Sequence, residues 1–166
     1  MTTRVTTFSE VMSGPARLGG AAASRPMRLE LDVVAPGLLK LWAVTEASMT
    51  GRAVLDGVAD DPAATGSMLI APIRRRRLRY QLAFQATDGR PLRIDGWKSV
   101  SYLRPLRSMT TLPVTVYAAD GSVFGEALLT FDLRDLPRFL ASFRYRRAPR
   151  LAEARPAASP AHAETS

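Results

Sequence analysis

Two charged residues sit where the alternation of this chain requires apolar ones. Lys98 shares its phase with Leu92, Ile94, Gly96 and Val100, and Glu10 shares its phase with Phe8 and Met12. Residues two apart on a β-strand point to the same side. A regular strand therefore turns the Lys98 ammonium and the Glu10 carboxylate inward with their apolar neighbours. An isolated charge in an apolar interior is costly and is normally paired or neutralised. The spacing predicts that Glu10 and Lys98 face each other, or jointly hold a polar ligand group. A bulge at Gly96 that flips the parity, or a Lys98 that reaches out through a barrel mouth, leads elsewhere.

A second charged group is the run Arg74-Arg75-Arg76-Arg77, which leads into a strand. Arg77 and Arg79 fall on the polar, outer face. Arg74 and Arg76 share the phase of Leu78 and Tyr80 but come at the strand's start, at the rim. There they form either an anion-binding site for a carboxylate, a phosphate or an acidic protein face, or a solvated edge.

Other chemistry is excluded by what the chain lacks. It has no cysteine, so disulfides, thiolate metal sites and a cysteine nucleophile are absent. Its single histidine, His162, lies near the C-terminus, which removes a Ser-His-Asp triad or histidine metal site from the folded part. Gly19-Gly20 is followed by alanines rather than by the lysine of a phosphate loop. Asp60-Asp61 precede Pro62 in what reads as a turn, and no metal constellation is visible. No cofactor is implied.

The elements that must position these residues are strands. Met27-Arg28-Leu29-Glu30-Leu31-Asp32-Val33 alternates without a break, and Leu78 to Gln85 repeats the pattern. Leu92-Arg93-Ile94-Asp95 resumes it after Asp88-Gly89. Leu112, Val114, Val116 and Ala118 share one phase of the next strand, and Asp120-Gly121 turns the chain into Val123 to Phe131. Asp-Gly between alternating runs favours a hairpin, because glycine accepts the positive φ of a type I′ turn. Weaker strands are predicted around Met49 to Leu55, over Ser67 to Ala71, and over residues 5–12. Pro36 to Trp42 reads as a short helix that plugs one end. Asp132 to Pro137 reads as a helix start, with Leu136, Phe139, Leu140 and Phe143 on one face of a helix over 135–144.

Seven or eight strands in meander order either leave two edges or close, and closure removes edges that invite aggregation. The expected fold is mainly β: a lipocalin-like antiparallel meander barrel of seven to eight strands with a short C-terminal helix. A strongly bent open sheet around the helix is the alternative. Residues 1–26 form an N-terminal segment, 27–146 the barrel with its helix, and 147–166 a disordered Ala/Pro-rich basic tail.

The 166 residues are 46% hydrophobic and 23% charged, enough for one domain with a real core. Lys and Arg number 23 against 15 Asp and Glu, a formal charge of +8 that can attract nucleic acid, anionic membrane or an acidic partner. Trp97 and Tyr117 fall in the outer phase but stand in no basic-aromatic pattern along the sequence, which argues against nucleic acid. No apolar run reaches the ~18 residues of a membrane-spanning helix. Met1 to Gly14 carries one arginine and no apolar stretch, so it does not read as a secretory signal. The expected location is the cytoplasm.

Phe8-Ser9-Glu10-Val11-Met12-Ser13-Gly14, then Leu82-x-Phe84 before Asp88-Gly89, then Gly96-x-Lys98, resembles a β-rich module that accompanies GMC-type flavin oxidoreductases similar to cholesterol oxidase. The resemblance spans most of Phe8 to Phe143. It implies an association with lipid or sterol oxidation as an accessory module. It implies no flavin binding by this chain, which lacks a Gly-x-Gly-x-x-Gly loop.

These readings lead to a non-enzymatic module that binds a small hydrophobic, lipid- or sterol-like ligand. Leu29, Leu31, Tyr80, Leu82 and Phe84 line the barrel together with Ile94, Val114, Val116 and Phe131. Glu10 and Lys98 hold the ligand's polar end, with Lys98 neutralising an acidic head. Two alternatives stand beside it. One is an isomerase or cyclase with Glu10 as acid or base and Lys98 as electrostatic stabiliser. The other is a solid barrel that docks an oxidoreductase or other acidic protein partner.

Overall fold

Period-two alternation runs through most of the chain, and the computed structural model converts it into a sheet that closes on itself. The structure describes residues 3–36, 44–71, 77–99 and 110–148. Its strands are β1 (Thr3–Leu18), β2 (Arg25–Pro36), β3 (Thr45–Leu55), β4 (Ala59–Ala71), β5 (Arg77–Gln85), β6 (Pro91–Ser99), β7 (Thr111–Ala118) and β8 (Val123–Phe131). A 3-10 turn (Leu133–Asp135), helix α1 (Leu136–Ser142) and a ninth strand, β9 (Arg144–Ala148), follow.

Each strand pairs antiparallel with the next. β1 then pairs with β2 on one side and with β8 on the other, which closes an eight-stranded meander. β8 reaches β1 only from Met12 to Leu18. Beyond it, β9 takes over the same edge and pairs with Thr3–Thr7.

The inner phase holds the core. Met27, Leu29, Leu31, Val33 and Ala35 of β2 are buried, while Arg28, Glu30 and Asp32 between them are exposed. The same alternation buries Tyr80, Leu82 and Phe84 of β5, Leu92 and Ile94 of β6, and Leu112, Val114 and Val116 of β7.

Four elements differ from the sequence expectation. The N-terminal strand is not a short piece over 5–12 but sixteen residues, and it is the strand that closes the barrel. Asp60-Asp61-Pro62 is not a turn. The turn comes earlier, at Asp56-Gly57-Val58, and β4 runs through Pro62 at a register shift opposite Gly51 and Ala53. Proline has no N–H to give to a ladder and is tolerated at such irregularities. There the Asp61 carboxylate accepts from the Ala63 and Gln85 N–H groups, each at 2.8 Å. The helix stops at Ser142, short of 144. Residues 144–148, read partly as tail, form β9 because β8 ends too soon to cover the start of β1. The helix expected over Pro36 to Trp42 and the rim residues Arg74 and Arg76 lie outside the described residues.

Candidate functional site

Parity places four polar side chains inside the barrel, Thr6 of β1 and three that meet one another. β1 carries Glu10, β5 carries Tyr80 and β6 carries Lys98, with relative exposures of 6%, 3% and 3%. The expected escape by a bulge at Gly96 does not occur. β5 and β6 stay in register from Arg77–Ser99 to Gln85–Pro91, with Tyr80 directly opposite Gly96. Gly96 also marks a close approach, since a Cβ there would lie 2.6 Å from a Val114 methyl.

β1 and β5 are four strands apart in either direction around the ring, so Glu10 meets Tyr80 and Lys98 across the interior. The Lys98 ammonium donates to Glu10 Oε1 at 2.9 Å. The Tyr80 hydroxyl donates to Glu10 Oε2 at 3.0 Å. Lys98 Nζ also lies 3.4 Å from the Tyr80 oxygen and 3.9 Å from Met12 Sδ. The three ammonium hydrogens therefore have three acceptors. No buried side-chain nitrogen or oxygen among the described residues lacks a partner.

Burial pushes the Tyr80 hydroxyl well above its ordinary value of 10, and the Glu10 charge and its hydrogen bond act in the same direction. Tyr80 is thus a neutral donor. Chemically, the cluster is an ammonium and a carboxylate that neutralise each other, tied by a phenol that holds its proton.

Among the described residues, the inward side chains of the barrel are closely packed. Met12, Met27, Leu29, Met49, Leu55 and Met68 are each exposed by less than 2%, as are Leu82, Ile94, Leu112, Leu129, Val33 and Val116. A void that admits water leaves its walls open to a sphere of that size. These side chains leave no such opening. An eight-stranded barrel has an interior that side chains alone can fill.

At the end where β1 begins, aromatic rings continue the interior. Phe8 stacks on Phe143 with centroids 4.9 Å apart, and Phe139 meets Phe8, Phe131 and Phe143 edge-on at 5.7, 5.3 and 5.1 Å. α1 thus inserts Phe139 beside the inner-phase Phe8 and Phe131. The Ser142 hydroxyl accepts the Ser9 N–H at 3.0 Å, on the stretch of β1 between the ends of β8 and β9.

The structure brings Glu10 and Lys98 together, one of the arrangements the spacing allowed, and it places Leu29, Leu31, Tyr80, Leu82, Phe84, Ile94, Val114 and Val116 in the core. Phe131 is only partly buried and packs against that core. Sequence reasoning assigned Tyr80 to the lining and missed its hydrogen bond to Glu10. The available signal was its parity with Lys98 through a paired strand. Met12 was likewise visible only as an apolar neighbour.

The outer wall is a second candidate surface. Arg79 forms a two-pronged ion pair with Asp95, at 2.6 and 3.1 Å, and lies 4.9 Å over the Trp97 ring. Arg93 lies 5.4 Å over Tyr117. The two outer aromatics therefore do have basic neighbours, which strand pairing supplies and the linear sequence hides. An open groove of about 680 Å³ crosses β6, β7, β8 and β1, with Pro15, Trp97, Pro113 and Leu128 among its lining residues. Trp97 and Leu128 are 42% and 48% exposed. Among the described residues there is no cluster of metal-ligating side chains and no helix long and apolar enough to cross a membrane.

Fold and interior together define the class: a closed eight-stranded antiparallel meander barrel with a charged pair sealed across its core. Comparison with family models, with curated proteins and with solved structures finds no match to this chain.

Proposed function

We propose that this chain is a non-enzymatic interaction module, a barrel filled by its own side chains that works through its outer surface. The observation that carries this reading is the closed accounting of the Glu10–Lys98–Tyr80 cluster, with three ammonium hydrogens on three internal acceptors and tightly packed neighbours. A site built to hold a ligand keeps a polar group free for it. The Trp97–Pro113–Leu128 side of the barrel offers the partner-facing apolar surface. The resemblance noted in the sequence makes an oxidoreductase of lipids or sterols the partner class.

One observation favours a second reading, a receptor for a lipid- or sterol-like molecule with an acidic head. The ionic partner of Lys98 in the interior is a carboxylate, and a ligand's own carboxylate or sulfate matches that chemistry. An isomerase or cyclase that uses Glu10 as base needs the same space beside it.

The methyl groups of Met12, Met27, Met49 and Met68 report directly on the interior. Their NMR signals in the intact chain are expected to stay unmoved when oleate or cholesterol sulfate is added in excess. A shift of the Met12 methyl that saturates at one ligand per chain overturns the filled-barrel reading in favour of the second.

A further inference from the structure

Two charged side chains on the outer wall stand unpaired among the described residues. Arg17 of β1 and Glu126 of β8 lie directly opposite each other in the register, and both are exposed. Neither forms an ion pair or a side-chain hydrogen bond there. By contrast, Arg28 with Glu30, Arg52 with Asp60 and Arg79 with Asp95 are closed at 2.7, 2.7 and 2.6 Å.

Beside this pair runs an apolar row. Two residues along the strands stand Pro15 and Leu128, and the row continues to Pro26 on β2 and to Pro113 on β7. Leu128 is 48% exposed, and the three prolines are exposed as well. An exposed apolar strip rimmed by polar groups marks an interaction surface. Proline loses almost no side-chain freedom when it is covered, so a contact built on three of them carries little ordering cost.

We propose that this wall, centred on β1 and β8, binds the same wall of a second copy of the chain. A two-fold contact must be self-complementary, and this wall is so in both charge and polarity. A two-fold axis parallel to the strands and midway between β1 and β8 lays β1 of one copy over β8 of the other. Arg17 of each copy then faces Glu126 of the other, once on either side of the axis. Leu128 faces Pro15 and Pro113 faces Pro26, so the apolar rows cover each other. This contact rests on the reading above in one respect, that the outer wall is the working surface. Leu128 and Pro113 belong also to the Trp97 side, so a second copy and an oxidoreductase compete for them. The dimer is the form in which the wall is covered while that partner is away.

The test is sedimentation velocity of the intact chain over a range of concentrations at about 0.15 M salt, which screens the repulsion between two copies of charge +8. A reversible dimer is expected. Arg17→Glu sets carboxylates against each other across the axis, and Glu126→Arg does the same with guanidinium groups. Each is expected to raise the dissociation constant by about 10-fold or more, because like charges facing across an interface repel. Leu128→Asp, which leaves the charge pair in place, is expected to dissociate the dimer as well, with an unchanged circular dichroism spectrum in all three. Mixing the Arg17→Glu and Glu126→Arg chains sets opposite charges across the axis again at both sites, and a one-to-one heterodimer is expected to form. A role confined to one chain produces no such rescue. A parent chain that stays monomeric, a parent dimer that all three variants leave unchanged, or a mixture that stays monomeric overturns the proposal. None of these outcomes bears on the methionine signals, so the dimer and the filled barrel fail separately.

Discussion

The two ends of the barrel are built on different principles. At one end, β-strands are joined by turns that close on their own backbone. Gly20, Gly57, Gly89 and Gly121 take positive φ values of 77°, 69°, 83° and 84°, and the Val58, Gly89 and Gly121 N–H groups return to Leu55, Ala86 and Ala118 at 2.9, 2.8 and 3.0 Å. At the other end the interior is completed by side chains brought from far away in sequence. Phe139 arrives from α1 and Phe143 from the residue that follows it. The partners Glu10 and Lys98 are separated by 88 residues. The turn end is specified locally and one substitution disturbs one turn. The other end is specified by partners, and removing one partner leaves another stranded.

That contrast sets the order of expected effects. Lys98→Met is expected to destabilise the fold by about 3–5 kcal/mol, because it leaves the Glu10 carboxylate buried without compensation. Adding Glu10→Leu is expected to restore stability to near or above the starting level, since apolar replacement of a whole buried pair is often neutral or favourable. Urea unfolding of the single and double variants measures this. A Lys98→Met cost below about 1 kcal/mol breaks the comparison, for it means the pair is not held in a dry interior.

Phe139→Ala comes next, at about 2–4 kcal/mol, near the low side of ring truncations because Phe139 is only partly buried. Thermal unfolding followed by near-ultraviolet circular dichroism reads it. An effect as small as that of a turn substitution removes α1 from the structure of this end.

Tyr80→Phe removes one donor to Glu10 and is expected to cost about 1–3 kcal/mol. It carries a pH signature as well. The native Tyr80 hydroxyl is raised above its ordinary 10, so above that pH the unfolded chain releases a proton that the native state keeps. The contribution is full below about 10 and is lost as pH rises toward the native value. Denaturant midpoints measured from neutral to alkaline pH are expected to fall less steeply above 10 in Tyr80→Phe than in the parent.

Gly121→Ala is expected to cost about 1 kcal/mol. Its Cβ meets nothing within 4 Å, so only the φ of 84° opposes it. A cost equal to that of Lys98→Met erases the distinction between the ends.

Much of the fold was legible in local sequence. Strict alternation in β2, β5, β6 and β7 fixed which face of each strand is buried, since the side-chain period of a strand is two whatever it pairs with. Asp-Gly marked two of the turns. The helix was readable from Asp132, Pro137 and the spacing of Leu136, Phe139 and Phe143. The length of β1, the passage of β4 through Pro62, and β9 were not. Each depends on which strand lies alongside, and Gly14, Pro15 and Pro62 read locally as interruptions.

Parity in the amino-acid sequence determined that Glu10 and Lys98 point inward, because orientation along one strand is a local property. Only the tertiary structure decided what they meet there. Closure by β1 brings Glu10 across to β5 and β6, gives it the Tyr80 proton as well as the Lys98 charge, and surrounds all three with packed side chains. Facing is set by the pleat. Partnership is set by the circumference of the barrel and the register of eight strands, which no segment of the chain carries alone.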